Sequence, residues 1–217
     1  PEDEEQTFAA DGTMLPEAVD GVITLDEDIT LSEKWTVSDK VTLDLNGNTL
    51  DVSAKGISVK GKLTVKDSSE NAGGTIKGGN DMISVEKGAS LTLKNGNIES
   101  KKGTAVKLAY SAKTSFTMEG GTVFGTAETV YVMSGKVTVT GGEIRTSSTS
   151  VPAIYNRYSE AEIIVGEESG NDEDIYISSI GGQANHTVKI YSGTIGKIVR
   201  LVSDDSILDG LFENNIN

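Results

Sequence analysis

The chain has 217 residues, 36% of them apolar and 5% aromatic, with 25 glycines, 3 prolines and no cysteine. That length allows one extended core or two small ones, and a glycine-rich, proline-poor balance suits many strands joined by tight turns. A formal net charge of −14 argues against a nucleic-acid backbone or direct membrane insertion, and the missing cysteine excludes disulfides, thiolate metal sites and cysteine nucleophiles.

The sequence opens on PEDEEQ, an acidic solvated stretch, and contains neither a signal peptide nor a transmembrane run. Such an opening suits the start of an exported mature protein and equally an arbitrary boundary. MLPEAVDG, Met14 to Gly21, reads as one short helical turn over the element that follows. Residues 1–20 are therefore expected to form an N-terminal tail and cap.

From Val41 onward one phrase recurs: VTLDLNGNTL at Val41, KLTVKD at Lys62, SLTLKNGNI at Ser90, SFTMEGGTV at Ser115, KVTVTGGEI at Lys136, EIIVGE at Glu162 and TVKIYSGTI at Thr187. Aligning Leu43, Leu63, Leu91, Phe116, Val137, Ile163 and Val188 gives spacings of 20, 28, 25, 21, 26 and 25 residues, a mean of roughly 24. A short piece after each glycine turn supplies Ile76, Ile98, Val123, Ile144 and Ile195. A second strand-like segment then follows: GISVKG, MISVEKG, AVKLA, VYVMSG, AIYNR, IYISS and IVRLV. All of these alternate at strand period.

Strands this short, joined by loops without helical pattern, cannot alternate with crossover helices. An antiparallel sandwich also suits short strands and glycine turns, but it predicts no columns of like residues at a fixed period. The expectation is an all-β chain, a single-stranded parallel β-helix over residues 21–202 with about seven rungs of roughly 24 residues. Gly73-Gly74, Gly120-Gly121 and Gly141-Gly142 mark one corner of the coil. At the far end Ile207, Leu208, Leu211 and Phe212 follow Ser206 at helical spacing, so 203–217 reads as a C-terminal cap.

The segment GVITLDEDITLSEKWTVSDKVTLDLNGNTLD, Gly21 to Asp51, resembles the first rungs of pectate-lyase-like right-handed β-helix domains, above all those of large surface proteins of Gram-positive bacteria. LDLNGNTLD is its most specific phrase, and the likeness runs to about Leu201. It implies the handedness of the coil and an extracellular, cell-surface place. It identifies a fold superfamily better than an activity.

Enzymes of this fold that cleave acidic polysaccharides carry carboxylates on neighbouring rungs, with calcium and a basic residue or as aspartates for hydrolysis. Here Asp44 aligns with Thr64, and the next column reads Asn46, Lys66, Lys94, Glu119, Thr140. No outward column in this alignment holds two adjacent carboxylates. Thr64, Thr92, Thr117 and Thr138 form a hydroxyl column interrupted by Ile164 and Lys189, which suits a stable flat face more than an ice-binding one. Lys77, Glu99, Phe124 and Arg145 are ordinary neighbour pairs.

The second-strand column carries the binding candidates: Tyr131, Tyr155 and Tyr176, flanked by the cations Lys107 and Arg200. Tyrosine rings offer flat apolar faces with a polar tip, which suits sugar rings or a protein partner, and stacked tyrosines also serve as cross-strand glue. The loop GEESGNDEDIY gathers five carboxylates, with Asp172 and Asp174 as weak Ca²⁺ ligands, but its spacing matches neither the EF-hand nor the nonapeptide repeat. His186, the one histidine, lies in NHT, a glycosylation sequon in a eukaryotic secretory pathway, and has no second metal-binding partner.

The expected function is a non-catalytic extracellular surface module, an adhesin-like, glycan-binding or spacer domain of a larger protein. Its expected partner is a polysaccharide or a host or cell-surface glycoprotein, with no cofactor required. A polysaccharide lyase or hydrolase with a loop-built site, and a purely structural rod, are the alternatives.

Overall fold

The computed structural model describes residues 14–158, 161–167, 174–182 and 187–199, together with the backbone of the strand Leu208–Asp209. Every strand pairs in parallel with its counterpart one coil earlier and one coil later, which makes three parallel sheets running the length of a β-solenoid. The first sheet has nine strands and the other two have eight each. Among the described residues there is no helix. Each coil thus contributes one strand per sheet, as the repeat predicts.

Like residues do stack. In the first sheet Val41, Leu63, Leu91, Phe116, Val137, Ile163 and Val188 form one inward column, and Leu43, Val65, Leu93, Met118, Val139, Val165 and Ile190 form the next. In the second sheet Ile29, Leu50, Ile76, Ile98, Val123, Ile144, Ile177 and Ile195 run down the interior. Nearly all are buried, and each fully buried aliphatic chain is worth about 1.5–3 kcal/mol over its exposed state.

The first coil departs from the sequence alignment by two residues. Thr42, not Asp44, lies opposite Thr64, and Asp44 lies opposite Lys66. Val41, Leu43 and Leu45 all alternate with polar residues, so a shift of two keeps every apolar side chain inside and only the strand ends tell the registers apart. One further coil precedes those aligned: Val22–Thr24, Ile29–Thr30 and Trp35–Val37 pair with the strands of the next.

The helical turn expected at Met14 to Gly21 is not observed, and of the expected C-terminal cap Ser206, Ile207, Leu211 and Phe212 lie outside the described residues. Met14 to Gly21 ends in an antiparallel bridge between Val19 and Val22, while Leu15 packs on the end of the core. Leu208–Asp209 pairs in parallel with Val188–Lys189 as the ninth strand of the first sheet. An unpaired strand edge exposes its backbone groups, and both segments place backbone against such an edge.

Charge also follows the register. Lys66 meets Asp44 at 2.8 Å, Lys77 meets Asp51 at 3.4 Å, and Glu162 sits between Lys136 and Lys189 at 3.3 and 3.4 Å. Lys94 and Glu119 are 3.8 Å apart. The exposed pairs among these contribute little stability singly, while Asp44 is buried beneath its lysine.

The corner between the first and second sheets is a polar knot. The Asp44 carboxylate accepts from the N–H groups of Asn46 and Ser68, at 3.1 and 2.9 Å. Asp67 accepts from Gly47 and Ser69, at 2.9 and 3.0 Å, and from Gly74 across the insertion Asp67 to Gly74. Asn46 and Asn48 both donate to the Leu25 carbonyl at 3.0 Å, and Asn95 pairs with the Asp67 backbone through both its amide groups. Asp, Asn and Gly in LDLNGNTLD therefore build a corner, and its leucines Leu43, Leu45 and Leu50 fill the core.

Candidate functional site

The third sheet carries the candidate site, because the middle residue of its three-residue strands points outward. Down its centre that column reads Ser58, Ser84, Lys107, Tyr131, Tyr155 and Gly181, and Val199 pairs with Gly181 in the two-residue strand that follows. Lys107, Tyr131 and Tyr155 are thus consecutive, as the sequence suggests. The Tyr131 and Tyr155 rings lie 5.6 Å apart at 33°.

Tyr176 does not belong to this column. It lies in the second sheet opposite Glu143 and Thr194, with the Arg145 guanidinium 4.5 Å from its ring centroid. The third-sheet strand of that coil is Ile180–Gly182, whose Ile-Gly-Gly has one large apolar residue and no visible alternation. Val199, not the next residue, aligns with Gly181; Arg200 lies outside the described residues.

Two other tyrosines take the place of Tyr176. Leu108, Val132 and Asn156 stack at the end of the third sheet, and Tyr110 and Tyr158 follow the first and third of them by two residues. Between them the middle coil turns in only two residues, Met133 and Ser134, before the next strand begins at Gly135. That short corner is why one spacing falls to 21. It leaves room for the flanking turns to lean together, and the Tyr110 and Tyr158 rings meet edge to face at 5.3 Å. Both rings stay exposed, at 43% and 40%.

Arg157 ties the face together. Hydrogen bonds to Tyr155, then to Tyr158, hold its guanidinium above the ordinary arginine value. Burial pushes the Tyr131 phenol up, and the Arg157 charge pulls it the other way. Four of the six tyrosines thus lie in two ring pairs, and Arg157 bonds to one tyrosine of each pair, Tyr155 and Tyr158. Sequence reading missed Tyr110, Tyr158 and Arg157 because they follow strands whose ends are not visible; the unequal repeat lengths were the one available signal.

Beside Tyr131 a groove of about 350 Å³ is lined by Asn80, Asp81, Thr104, Lys107, Glu128 and Met133. Lys107 bridges the two halves of the site: its ammonium is 2.7 Å from Asp81 and 5.9 Å from the Tyr131 ring centroid. Asp81 has φ of 48°, a left-handed conformation uncommon outside glycine. A larger cleft of about 560 Å³ at the N-terminal end is lined by Leu15, Pro16, Ile23, Leu31 and Trp35, with Glu33, Lys34 and Thr36 as its polar groups.

Of the acidic loop, Asp174 is an exposed turn residue, while Asp172 and His186 lie outside the described residues. Among the described residues no three His, Cys, Asp or Glu side chains gather as a metal site. No described strand pairing sets two carboxylates opposite one another. Comparison with known proteins finds no matching family model, no matching curated protein and no matching solved structure.

Proposed function

We propose that this chain is a non-catalytic, rod-like module of a bacterial extracellular surface protein, of the pectate-lyase-like β-helix kind, and that it binds glycan through the tyrosine face. The observation that carries the reading is the arrangement of Tyr110, Tyr131, Tyr155 and Tyr158 around Arg157. Aromatic rings fixed by their neighbours lose little entropy when a ligand stacks on them, and their hydroxyls supply polar contacts at the rim. A non-catalytic reading is supported by the described strand pairings, in which the carboxylates of Asp44, Asp51 and Glu162 each face a lysine and not a second carboxylate.

The expected result is retention of one class of polysaccharide, without new reducing or unsaturated ends, when the chain is incubated with plant, mucin and bacterial glycans with and without Ca²⁺. Changing Tyr131 and Tyr155 together to Ala is expected to weaken retention at least about tenfold, the equivalent of 1.4 kcal/mol. Cleavage products would replace this reading with a lyase or hydrolase.

The ring contacts themselves favour a second reading, a structural rod in which the tyrosines join coils. Aromatic pairs contribute about 0.5–1.5 kcal/mol. On that reading Tyr155→Ala lowers the unfolding free energy by about 1 kcal/mol, and wild-type chain retains no glycan.

A further inference from the structure

We propose that the groove beside Tyr131 is a subsite for one neutral pyranose unit, whose ring lies on Tyr131 and whose vicinal diol is read by the Asp81–Lys107 pair. This rests on the glycan-binding reading of the tyrosine face and adds the class of sugar and the residues that select it.

The size and lining of the groove set the first limit. At about 350 Å³ it lies at the lower end of the ~300–1,000 Å³ range of small-ligand sites, and with five polar or charged residues among the seven that line it, beside the Tyr131 ring, it is more polar than most and suits a hydroxyl-rich ligand. It has room for one sugar unit, and Tyr155 stands one coil beyond Tyr131 in the same column.

Charge sets the second. Two carboxylates, Asp81 and Glu128, line the groove, and its one cation, Lys107, is already bonded to Asp81. The neighbouring Arg157 gives its hydrogen bonds to tyrosine hydroxyls. An anionic sugar would meet these carboxylates and a chain of net charge −14, without an uncommitted cation in the groove to receive it. A neutral sugar meets no such repulsion.

The geometry of the ion pair sets the third. Asp81 and Lys107 stand side by side at 2.7 Å, each about two-fifths to one-third exposed, so an acceptor and a donor face the groove together. Adjacent sugar hydroxyls match this: one donates to the Asp81 carboxylate and its neighbour accepts from the Lys107 ammonium. Asp81 holds that position in a left-handed backbone conformation, and the Asn80 side chain before it accepts from the Thr104 N–H at 3.1 Å, anchoring the turn to the next coil.

The test is titration of the full chain with the methyl glycosides of glucose, galactose and mannose, their monodeoxy analogues, and galacturonic acid, read by saturation-transfer NMR. At least one neutral glycoside is expected to bind, and loss of one hydroxyl of its diol, or Asp81→Asn, or Lys107→Met, is each expected to weaken it about tenfold. Galacturonic acid is expected to bind more weakly than the neutral parent. Both variants are checked for an unchanged thermal midpoint. Equal binding by Asp81→Asn and Lys107→Met, equal binding of every deoxy analogue, or tighter binding of galacturonic acid would each overturn the subsite. If polysaccharide retention still depends on Tyr131 and Tyr155 in that case, the tyrosine face stands without it. If wild-type chain takes up neither glycosides nor polysaccharides, both fall.

Discussion

Gly121→Val is expected to lower the unfolding free energy by about 2–6 kcal/mol, from roughly 1–3 for a branched residue in a left-handed conformation and roughly 1–3 for overpacking. Gly121 has φ of 82°, and a Cβ built there runs into the Gly96 carbonyl oxygen one coil away. That atom is backbone and belongs to the same corner, so it cannot move aside without moving the stack. Two other glycines separate the causes. Gly88 has φ of 80° with open space around its missing Cβ, so Gly88→Ala tests conformation alone and is expected to cost about 1 kcal/mol. Gly73 has an ordinary φ and open space, so Gly73→Ala is expected to stay within about 0.5 kcal/mol of wild type. Urea denaturation of the three variants gives the order; equal losses at Gly121 and Gly88 would show that the coil-to-coil contact is not what limits the corner.

Asp67→Ala is expected to cost about 3 kcal/mol at neutral pH. The side chain is 4% exposed and its carboxylate accepts from the backbone N–H groups of Gly47, Ser69 and Gly74, donors that lose their partner with it. Each buried unsatisfied donor costs about 1–3 kcal/mol, and water entering the vacated corner recovers part. The same bonds set a pH dependence. Burial works to raise the Asp67 pKa, but the hydrogen bonds from Ser69, Gly74 and Gly47 outweigh it and hold the group below its ordinary 3.8. Asp44 follows the same rule, with burial outweighed by Lys66, Ser68 and Asn46. A carboxylate whose folded pKa lies below its unfolded value contributes fully above the unfolded value and loses that contribution as pH falls through the folded one. Stability is therefore expected to hold down to about pH 4 and to decline in more acid solution. Asp67→Asn shortens that decline. A slope below pH 4 identical in wild type and Asp67→Asn would remove Asp67 from the account.

The solenoid was legible because inward columns are written in the sequence as like residues at one period. Leu91 over Leu63 and Val137 over Phe116 stand where the alignment places them. The alignment failed where local pattern is degenerate. Three alternating apolar residues from Val41 to Leu45 fit two registers equally, and Ile180–Gly182 carries no strand signal, so Ile175–Ile177 was taken for the strand that follows it. Half of the candidate site shared this fate. Tyr131 and Tyr155 lie mid-strand and were readable, whereas Tyr110 and Tyr158 meet only because the coil between them has a two-residue corner. No property of either tyrosine's own neighbourhood encodes a contact that skips a coil.

That skipped coil changes how the rod comes apart. A stack in which each coil touches only its neighbours unravels from an end one coil at a time, each release as easy as the last. The Tyr110–Tyr158 contact joins two coils that are not neighbours, so a front arriving from either end must also break it when it releases the first coil that carries one of these tyrosines. Amides of Ile154–Asn156 and Val106–Leu108 are expected to exchange more slowly than those of coils outside the contact, and to lose that extra protection when Tyr158 becomes Ala. Pulled along its length, such a rod meets one step at this clasp that is slightly harder than those before it.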